Sequence, residues 1–414
     1  MDRTGLGAGP APIGAALRDQ AGRFRVLEEE QRRFRPTLYW YLSFRCNLAC
    51  AHCSVGSSPW VDTSGDLDTD ECLRVIEQMA ELQVRAVLLT GGEFLIRPDA
   101  LRILRALTDQ GIAAGVETNG ILYPSGFFEL AREMQSKGFL SLTISLDGGT
   151  RETHERLRGP RSFERTIAGL RLLQEHGIGF NLQCVLNRES FATIPDLYAL
   201  AEELSPACGA VQWALLNPVG RGTGLIQDLG LRPGDISALF QSIQRVEPGF
   251  SGRTLIKVPP AMVPPRYLPM VLKGTRVKPV ATCQFPLLGI LPNGDVTICA
   301  VSRDNRDLRF GNVRDEGFRL KGAWEKARMD QLRSRYLAAG DLTGICGDCV
   351  WKYQCKGACR AWAYEEGASF DAPFPLCRVL DEAGAFPRAY RLSLQNAAAL
   401  ESFQRMSVGC GCAE

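Results

Sequence analysis

Cysteine dominates the reactive side chains of this chain: 15 Cys stand against only three His (His52, His154 and His176) in 414 residues. The first group is Cys46-Asn-Leu-Ala-Cys50-Ala-His-Cys53, with the spacing C-x3-C-x2-C. Three thiolates on one loop can bind three irons of a cubane 4Fe–4S cluster, which leaves the fourth iron without a protein ligand. Catalytic metal sites keep such a position open for a substrate or cofactor. A zinc knuckle is the plain alternative for the same spacing. The scarcity of His excludes a His-rich zinc hydrolase and any site built on several His bases. An odd Cys total, in a chain with no secretion signal, argues against a disulfide framework and for metal or redox chemistry.

A second set runs Cys283-x10-Gly294-x4-Cys299, then Cys346-x2-Cys349-x5-Cys355-x3-Cys359-x17-Cys377. The segment around these thiols has little strand or helix periodicity, and a small segment of that kind needs metal to fold. A pair of structural zinc sites is the alternative to iron here. Of the remaining Cys, Cys72 falls on a helical pattern and reads as a small core hydrophobe. Cys184 falls in a strand pattern, Cys208 in a loop without a functional reading, and Cys410-Gly-Cys412 closes the tail.

The elements that must position the first group follow a βα rhythm from residue 37 onward. Short apolar runs, several β-branched, predict buried parallel strands at Leu38–Phe44, Arg85–Thr90, Ala113–Glu117, Leu140–Leu146, Phe180–Leu186 and Val211–Leu216. Helical patterns lie between them at Thr69–Leu82, Pro98–Gln110, Gly126–Lys137, Ser162–His176 and Ile194–Leu204, with Asp68/Thr69 and Pro98 as starts. Alternation of this kind implies a parallel sheet with right-handed crossovers. Six units in about 180 residues fall short of the about 250 of a full eightfold barrel, so an open (β/α)6 partial barrel fits the α/β pattern better. The first Cys group follows the first strand directly, at the strand end where α/β barrels put chemistry.

The organisation expected is an N-terminal segment with one surface helix, Leu17 to Phe34, over 1–36; the partial barrel over 37–235; and a Pro/Gly-rich connector over 236–282 with one helix near Asp235–Arg245. A small Cys-rich domain follows over 283–380, then a C-terminal helix and tail over 381–414. Hydrophobic residues at 45% and charged residues at 23% are ordinary for a soluble globular protein. A net charge of +2 points to neither nucleic acid nor an anionic membrane. No apolar run reaches the ~18 residues of a membrane span, and residues 1–36 lack the apolar core of a signal peptide.

In its motifs the chain resembles the radical S-adenosylmethionine (SAM) superfamily. Beside the Cys triplet, Gly91-Gly92-Glu93 ends the second strand, like the family's GGE motif that binds the SAM amino group; Phe94 stands where Pro is usual. Thr118-Asn119-Gly120 ends the third strand, and Ser145-Leu146-Asp147-Gly148 ends the fourth, similar to the SLDG in which Ser contacts SAM. His154-x3-Arg158-Gly159 and Asn217-Pro-Val-Gly-Arg221-Gly222 complete the likeness. The resemblance implies that Cys46, Cys50 and Cys53 hold a 4Fe–4S cluster whose open iron is chelated by SAM. Gly91, Gly92, Glu93, Asn119, Ser145 and Arg158 then contact SAM, with Glu93 able to pair with the ammonium. The reduced cluster cleaves SAM to methionine and a 5′-deoxyadenosyl radical, which takes a hydrogen atom from substrate. Cys184 could return a hydrogen atom to a substrate radical, or simply pack in the core.

The second set closely resembles the SPASM (twitch-type) auxiliary iron–sulfur extension of peptide-modifying radical SAM enzymes. The resemblance implies two auxiliary 4Fe–4S clusters, a distal one on Cys346, Cys349, Cys355 and Cys377 and a proximal one on Cys283, Cys299 and Cys359. Many relatives have another Cys just after the first; here Gln284-Phe-Pro-Leu-Leu follows. The proximal cluster then has an open iron for substrate, or is closed by Cys410 or Cys412. Sulfatase-maturing relatives place an Asp base directly after the position of Cys299, where this chain has Ala300 and the next carboxylate is Asp304, which counts against formylglycine formation. There is neither room nor His for a cobalamin domain. The layout looks most like the maturases of pyrroloquinoline quinone and mycofactocin. The first expectation is therefore radical modification of a ribosomal peptide by crosslinking, decarboxylation or epimerisation. A second is a small-molecule substrate such as a tetrapyrrole, and a third a non-catalytic iron–sulfur or zinc protein. A separate peptide-recognition protein, a flavodoxin- or ferredoxin-type reductant and a cytoplasmic setting accompany the first, with no nucleic acid or membrane partner.

Overall fold

The six expected strands form, each starting within three residues of its predicted position: β1 (Thr37–Ser43), β2 (Ala86–Gly91), β3 (Ala113–Thr118), β4 (Leu140–Ser145), β5 (Phe180–Leu186) and β6 (Cys208–Leu215). Helices α1 (Thr69–Glu81), α2 (Ala100–Asp109), α3 (Phe127–Ser136), α4 (Arg151–Arg158), α5 (Phe163–Glu175) and α6 (Ile194–Glu203) alternate with them. This is a computed structural model, and it describes residues 37–273, 277–279, 287–326, 329 and 341–394. The helix expected at Leu17 to Phe34, together with Cys283, Cys410 and Cys412, lies outside the described residues.

Local chemistry sets the elements. Asp68 caps α1 in a reciprocal box: its carboxylate accepts from Glu71 N at 2.8 Å, and Glu71 accepts from Asp68 N at 2.9 Å. Helix α4 was not expected, although Thr150 accepts from the Thr153 backbone at its start, a legible N-cap signal. Strand side chains alternate between two faces. One face carries Leu38, Trp40, Val87, Leu89, Val116, Ile144, Leu182, Cys184 and Trp213, all at most 1% exposed. These pack against apolar helix faces such as Val75, Ile76 and Met79 of α1. At about 1.5–3 kcal/mol per buried large aliphatic side chain, this layer holds the helices on the sheet.

The sheet does not stop at six strands. Its order is β11 (Gly311–Asn312), β10 (Asp295–Thr297), β9 (Leu287–Ile290), then β1 to β6 in sequence, then β7 (Arg253–Lys257) and β8 (Val277–Pro279). The segment 236–282, expected to be a connector, contributes α7 (Pro233–Val246), β7 (Arg253–Lys257) parallel to β6, and β8 (Val277–Pro279) parallel to β7. These strands escape a pattern reading because β7 has only two apolar residues between basic ends, and β8 carries a Pro, which an edge strand tolerates. On the opposite edge β9 (Leu287–Ile290) runs parallel to β1, and β10 (Asp295–Thr297) and β11 (Gly311–Asn312) add antiparallel. The start of the Cys-rich segment is thus an extension of the barrel sheet. Of the later Cys, Cys359 caps the start of α8 (Arg360–Gly367) and Cys377 lies in α9 (Pro375–Glu382). Tyr390 docks that part, donating its hydroxyl to Val263 O at 2.6 Å. No helix among the described residues is long and apolar enough to cross a membrane.

Candidate active site and cluster sites

Leaving β1, the chain turns into the Cys loop. Cys46 N donates to Ser58 O at 3.1 Å, and Ala51 N donates to Leu157 O at 2.7 Å, so the loop is fastened to its own return and to α4. Two of its sulfurs accept backbone N–H groups: Leu48 N lies 3.4 Å from Cys46 Sγ, and Ser57 N lies 3.2 Å from Cys53 Sγ. The loop walls a cavity of about 300 Å³ at the strand ends. Cys46, Cys50 and Cys53 line it, and so do Gly91, Gly92 and Glu93 from the end of β2. Asn119 after β3, Ser145 ending β4 and Arg158 ending α4 complete the wall. All the site residues expected around the first Cys group are therefore brought together.

The glycine pair is required by backbone, not only by a ligand. A Cβ on Gly92 would fall on Arg45 O and within 2.9 Å of the Phe44 carbonyl carbon. Gly92 N and Glu93 N instead donate to Ser43 O at 2.8 Å and Arg45 O at 2.9 Å, laying the end of β2 against the root of the Cys loop. Glu93 is buried and holds the end of β3: its carboxylate accepts from Thr118 Oγ1 at 2.8 Å, Asn119 N at 2.8 Å and Leu95 N at 3.1 Å. A carboxylate offers about four acceptor sites, so one further donor can be received. Burial pushes its pKa up, against those hydrogen bonds. Asn119 Nδ2 donates to Asn47 Oδ1 at 2.7 Å, a partner that spacing alone did not point to.

Asp147 organises the charges. It is fully buried, receives Arg158 Nε at 2.6 Å, faces His52 Nε2 at 3.3 Å and accepts from Val185 N at 2.8 Å. Burial opposes its ionisation, but Arg158 and His52 hold its carboxyl below the usual range. His154 Nδ1 accepts from Asp147 N at 3.2 Å, and burial with the nearby Arg158 cation lowers its pKa to about 4, so it stays neutral. Arg221 straps the Cys loop from the other side, donating to Cys50 O at 2.8 Å and Ser57 O at 2.7 Å. Gly220 sits against the Cys53 and Ser54 carbonyls where a side chain would not fit. Asp147 and Arg221 stood in the quoted motifs without a role, and their roles appear only in the fold.

The second Cys set separates into two groups. Cys377 lies within electrostatic reach of Cys346, Cys355 and Cys349. Cys299, two residues beyond β10, lies within reach of Cys359 instead, and also of Tyr41 on β1. Phe374 N donates to Cys346 Sγ at 3.2 Å, Trp351 N to Cys349 Sγ at 3.4 Å and Trp362 N to Cys359 Sγ at 3.5 Å. Burial pushes the Cys46, Cys299 and Cys355 thiols up to about 12, so they are not thiolate nucleophiles in the bare protein. Among the described residues, no three His, Cys, Asp or Glu side chains are gathered tightly enough to hold one metal ion. Arg360 is buried beside the thiols, donating through Nη1 to Phe370 O at 2.9 Å and Ala372 O at 2.7 Å. It is a fixed cation that offsets negative sulfur, and its place next to Cys359 was the only sequence signal for it. Cys72 and Cys208 are core residues. Cys184 is also core, on the opposite strand face from its cavity-lining neighbours Gln183 and Val185, which takes it away from any hydrogen-donor role.

Residues 40–201 match the radical SAM superfamily, and residues 283–350 match SPASM, an iron–sulfur cluster-binding domain. An AdoMet-dependent heme synthase of Methanosarcina barkeri is 30% identical over 82% of this chain and 95% of its own. The chain belongs to the radical SAM superfamily. The mycofactocin maturase MftC of Mycobacterium tuberculosis is 27% identical over 85% of this chain and 86% of its own. In fold, the chain is similar to Streptococcus suis SuiB bound to the precursor peptide SuiA, with a TM-score of 0.63, 16% identity, and 90% and 82% of the two chains covered.

As a radical SAM enzyme the chain binds SAM and iron–sulfur clusters, and this closes the non-catalytic alternative. The donor set at the Cys loop fits such a cluster. Its three thiols stand on one cavity wall, two of them accept the N–H···S bonds that tune a cluster, and the rest of the cavity is open beside them. The Arg158 cation, electrostatically coupled to Cys50 and Cys46, opposes the negative charge of a thiolate-bound cluster.

Proposed function

We propose that this chain is a radical SAM maturase that takes a hydrogen atom from a ribosomal peptide held in the barrel and so installs a crosslink, decarboxylation or epimerisation. Bound to Cys46, Cys50 and Cys53, the cluster supplies the electron for reductive cleavage of SAM. Gly91, Gly92, Glu93, Asn119, Ser145 and Arg158 bind and orient SAM beside it. Cys346, Cys349, Cys355 and Cys377 would hold one auxiliary cluster and Cys283, Cys299 and Cys359 another, and such clusters would supply an electron sink for an oxidative modification. We divide the chain into a barrel that takes in β7 and β8 of the segment expected as connector, and a SPASM part from residue 283. A flavodoxin or ferredoxin in the cytoplasm supplies the electron, and a separate recognition protein can present the peptide.

The observation that carries this reading is the character of the cavity. Beside the cluster loop Thr90, Glu117, Gln183 and Asn217 stand among Tyr39, Tyr41, Val185 and Leu216, so hydrogen-bonding groups that can receive amides and polar side chains share the wall with apolar ones. The maturase relative, similar over 85% of this chain, supports it as well. The test is anaerobic reconstitution followed by iron and sulfide counts, then incubation with SAM, reductant and short peptides encoded beside the gene. About 12 irons and peptide-dependent 5′-deoxyadenosine are expected. About 4 irons with ~2 zincs refutes the auxiliary clusters. A tetrapyrrole substrate is the second reading, favoured by the heme synthase at 30% identity. It is supported instead if coproporphyrin, and no peptide, stimulates 5′-deoxyadenosine formation.

A further inference from the structure

The inner face of the sheet continues past the cluster loop into β7. In the β5–β6 and β6–β7 ladders, Val185 pairs with Ala214 and Ala214 with Lys257. Register partners in a parallel ladder project to the same face. Val185 and Ala214 both line the cavity, so Lys257 stands on the chamber side. Its Nζ donates to Gln183 Oε1 at 2.6 Å, and Gln183 itself lines the cavity. Gln183 is neutral. Among the described residues the ammonium makes no hydrogen bond to a carboxylate. Across the chamber, Glu117 on β3 lines the wall and is fixed by Thr90 Oγ1 at 3.0 Å. Glu117 acts on Lys257 through space, while burial favours loss of the lysine's proton.

An ammonium has three donors, and a half-buried charge without a carboxylate at hydrogen-bond distance is costly. Arg158, the cation that lines the cavity, is already matched by Asp147. We propose that Lys257 and Gln183 form a carboxylate subsite that anchors an acidic group of the substrate inside the barrel. The substrate class is then a peptide presenting a Glu or Asp side chain or a C-terminal carboxylate to β7. This deepens, and rests on, the peptide reading above. Glu117 sets the orientation, since a carboxylate turned toward β3 meets like charge. The subsite could not be seen in sequence because Lys257 lies in the strand that pattern reading took for connector.

The probes are glutarate and its uncharged isostere glutaramide, added to the full reconstituted chain with SAM. Two readouts are used: reductive methylation of Lys257 followed by mass spectrometry, and ligand line broadening by NMR. Glutarate is expected to slow methylation of Lys257, and glutaramide to leave it unchanged. A charged hydrogen bond implies roughly tenfold or more weaker glutarate binding in Lys257→Met, with binding retained in Lys257→Arg and with iron content equal to the parent as the folding control. Equal protection by diacid and diamide, or unchanged glutarate affinity in Lys257→Met, overturns the subsite. The protection measurement uses the parent protein, so it stands even where the variant fails to fold. The probe has no peptide bond, so failure of every precursor peptide to drive 5′-deoxyadenosine formation would sink the peptide reading while leaving this result intact.

Discussion

Replacing Asp147 by Asn isolates the electrostatic centre of the site. The exchange keeps the shape, and the amide oxygen can still accept from Val185 N, now 2.8 Å from Oδ1. What disappears is the charge on Oδ2, which faces Arg158 Nε at 2.6 Å and His52 Nε2 at 3.3 Å. The side chains of Asp147 and Arg158 are 0% and 10% exposed, so the pair is largely shielded from bulk water. Leaving one member of a buried pair uncompensated costs about 3–5 kcal/mol. A chain of 414 residues unfolding as one unit carries about 0.9 kcal/mol/K of unfolding entropy, so about 4 kcal/mol lowers Tm by about 4–5 °C. The assay is anaerobic thermal unfolding of the reconstituted parent, Asp147→Asn, Arg158→Met and the double variant. The double variant is expected to be no less stable than either single variant, because the second exchange removes the charge that the first left unpaired. A fall of less than about 1 °C in Asp147→Asn, or losses that simply add in the double variant, would refute the coupling.

Three further outcomes follow from the same geometry. Gly92→Ala forces its Cβ onto the Arg45 backbone, so the Cys loop must shift and its iron is expected to be lost, leaving about 8 of about 12 irons; a full count refutes this. His154, with a pKa of about 4 in the fold, takes its proton in the unfolded chain near ~6.5, so stability is present above that value and lost as pH falls from about 6.5 to about 4, by roughly 3 kcal/mol. Urea midpoints across that window should fall less steeply in His154→Asn than in the parent, and parallel slopes would count against the assignment. Arg221→Met removes the donors to Cys50 O and Ser57 O, and iron extraction by a chelator is expected to be about tenfold faster; an unchanged rate shows that the strap is dispensable.

Much of this protein was legible in its residues. The C-x3-C-x2-C loop directly after an apolar run, and the glycines at strand ends, follow from local constraints. Thiols must share a loop to share a cluster, and backbone approaching backbone needs residues without a Cβ. Strand–helix alternation likewise determined the six-unit barrel, because period-2 and period-3.6 apolar patterns are written within each segment. Long-range pairing decided the rest. Strand β9 lies beside β1 and brings Cys299 close to Tyr41 and Cys359, although Cys359 stands far along the chain. Asp147 gathers Arg158, His52 and Val185 from three different segments. Lys257 reaches Gln183 only because β7 joins the sheet, and β7 is stabilised by ladder hydrogen bonds to β6 rather than by apolar periodicity of its own. Local propensity acts over a few neighbours, whereas register and charge matching act between segments that only the packed sheet brings into contact.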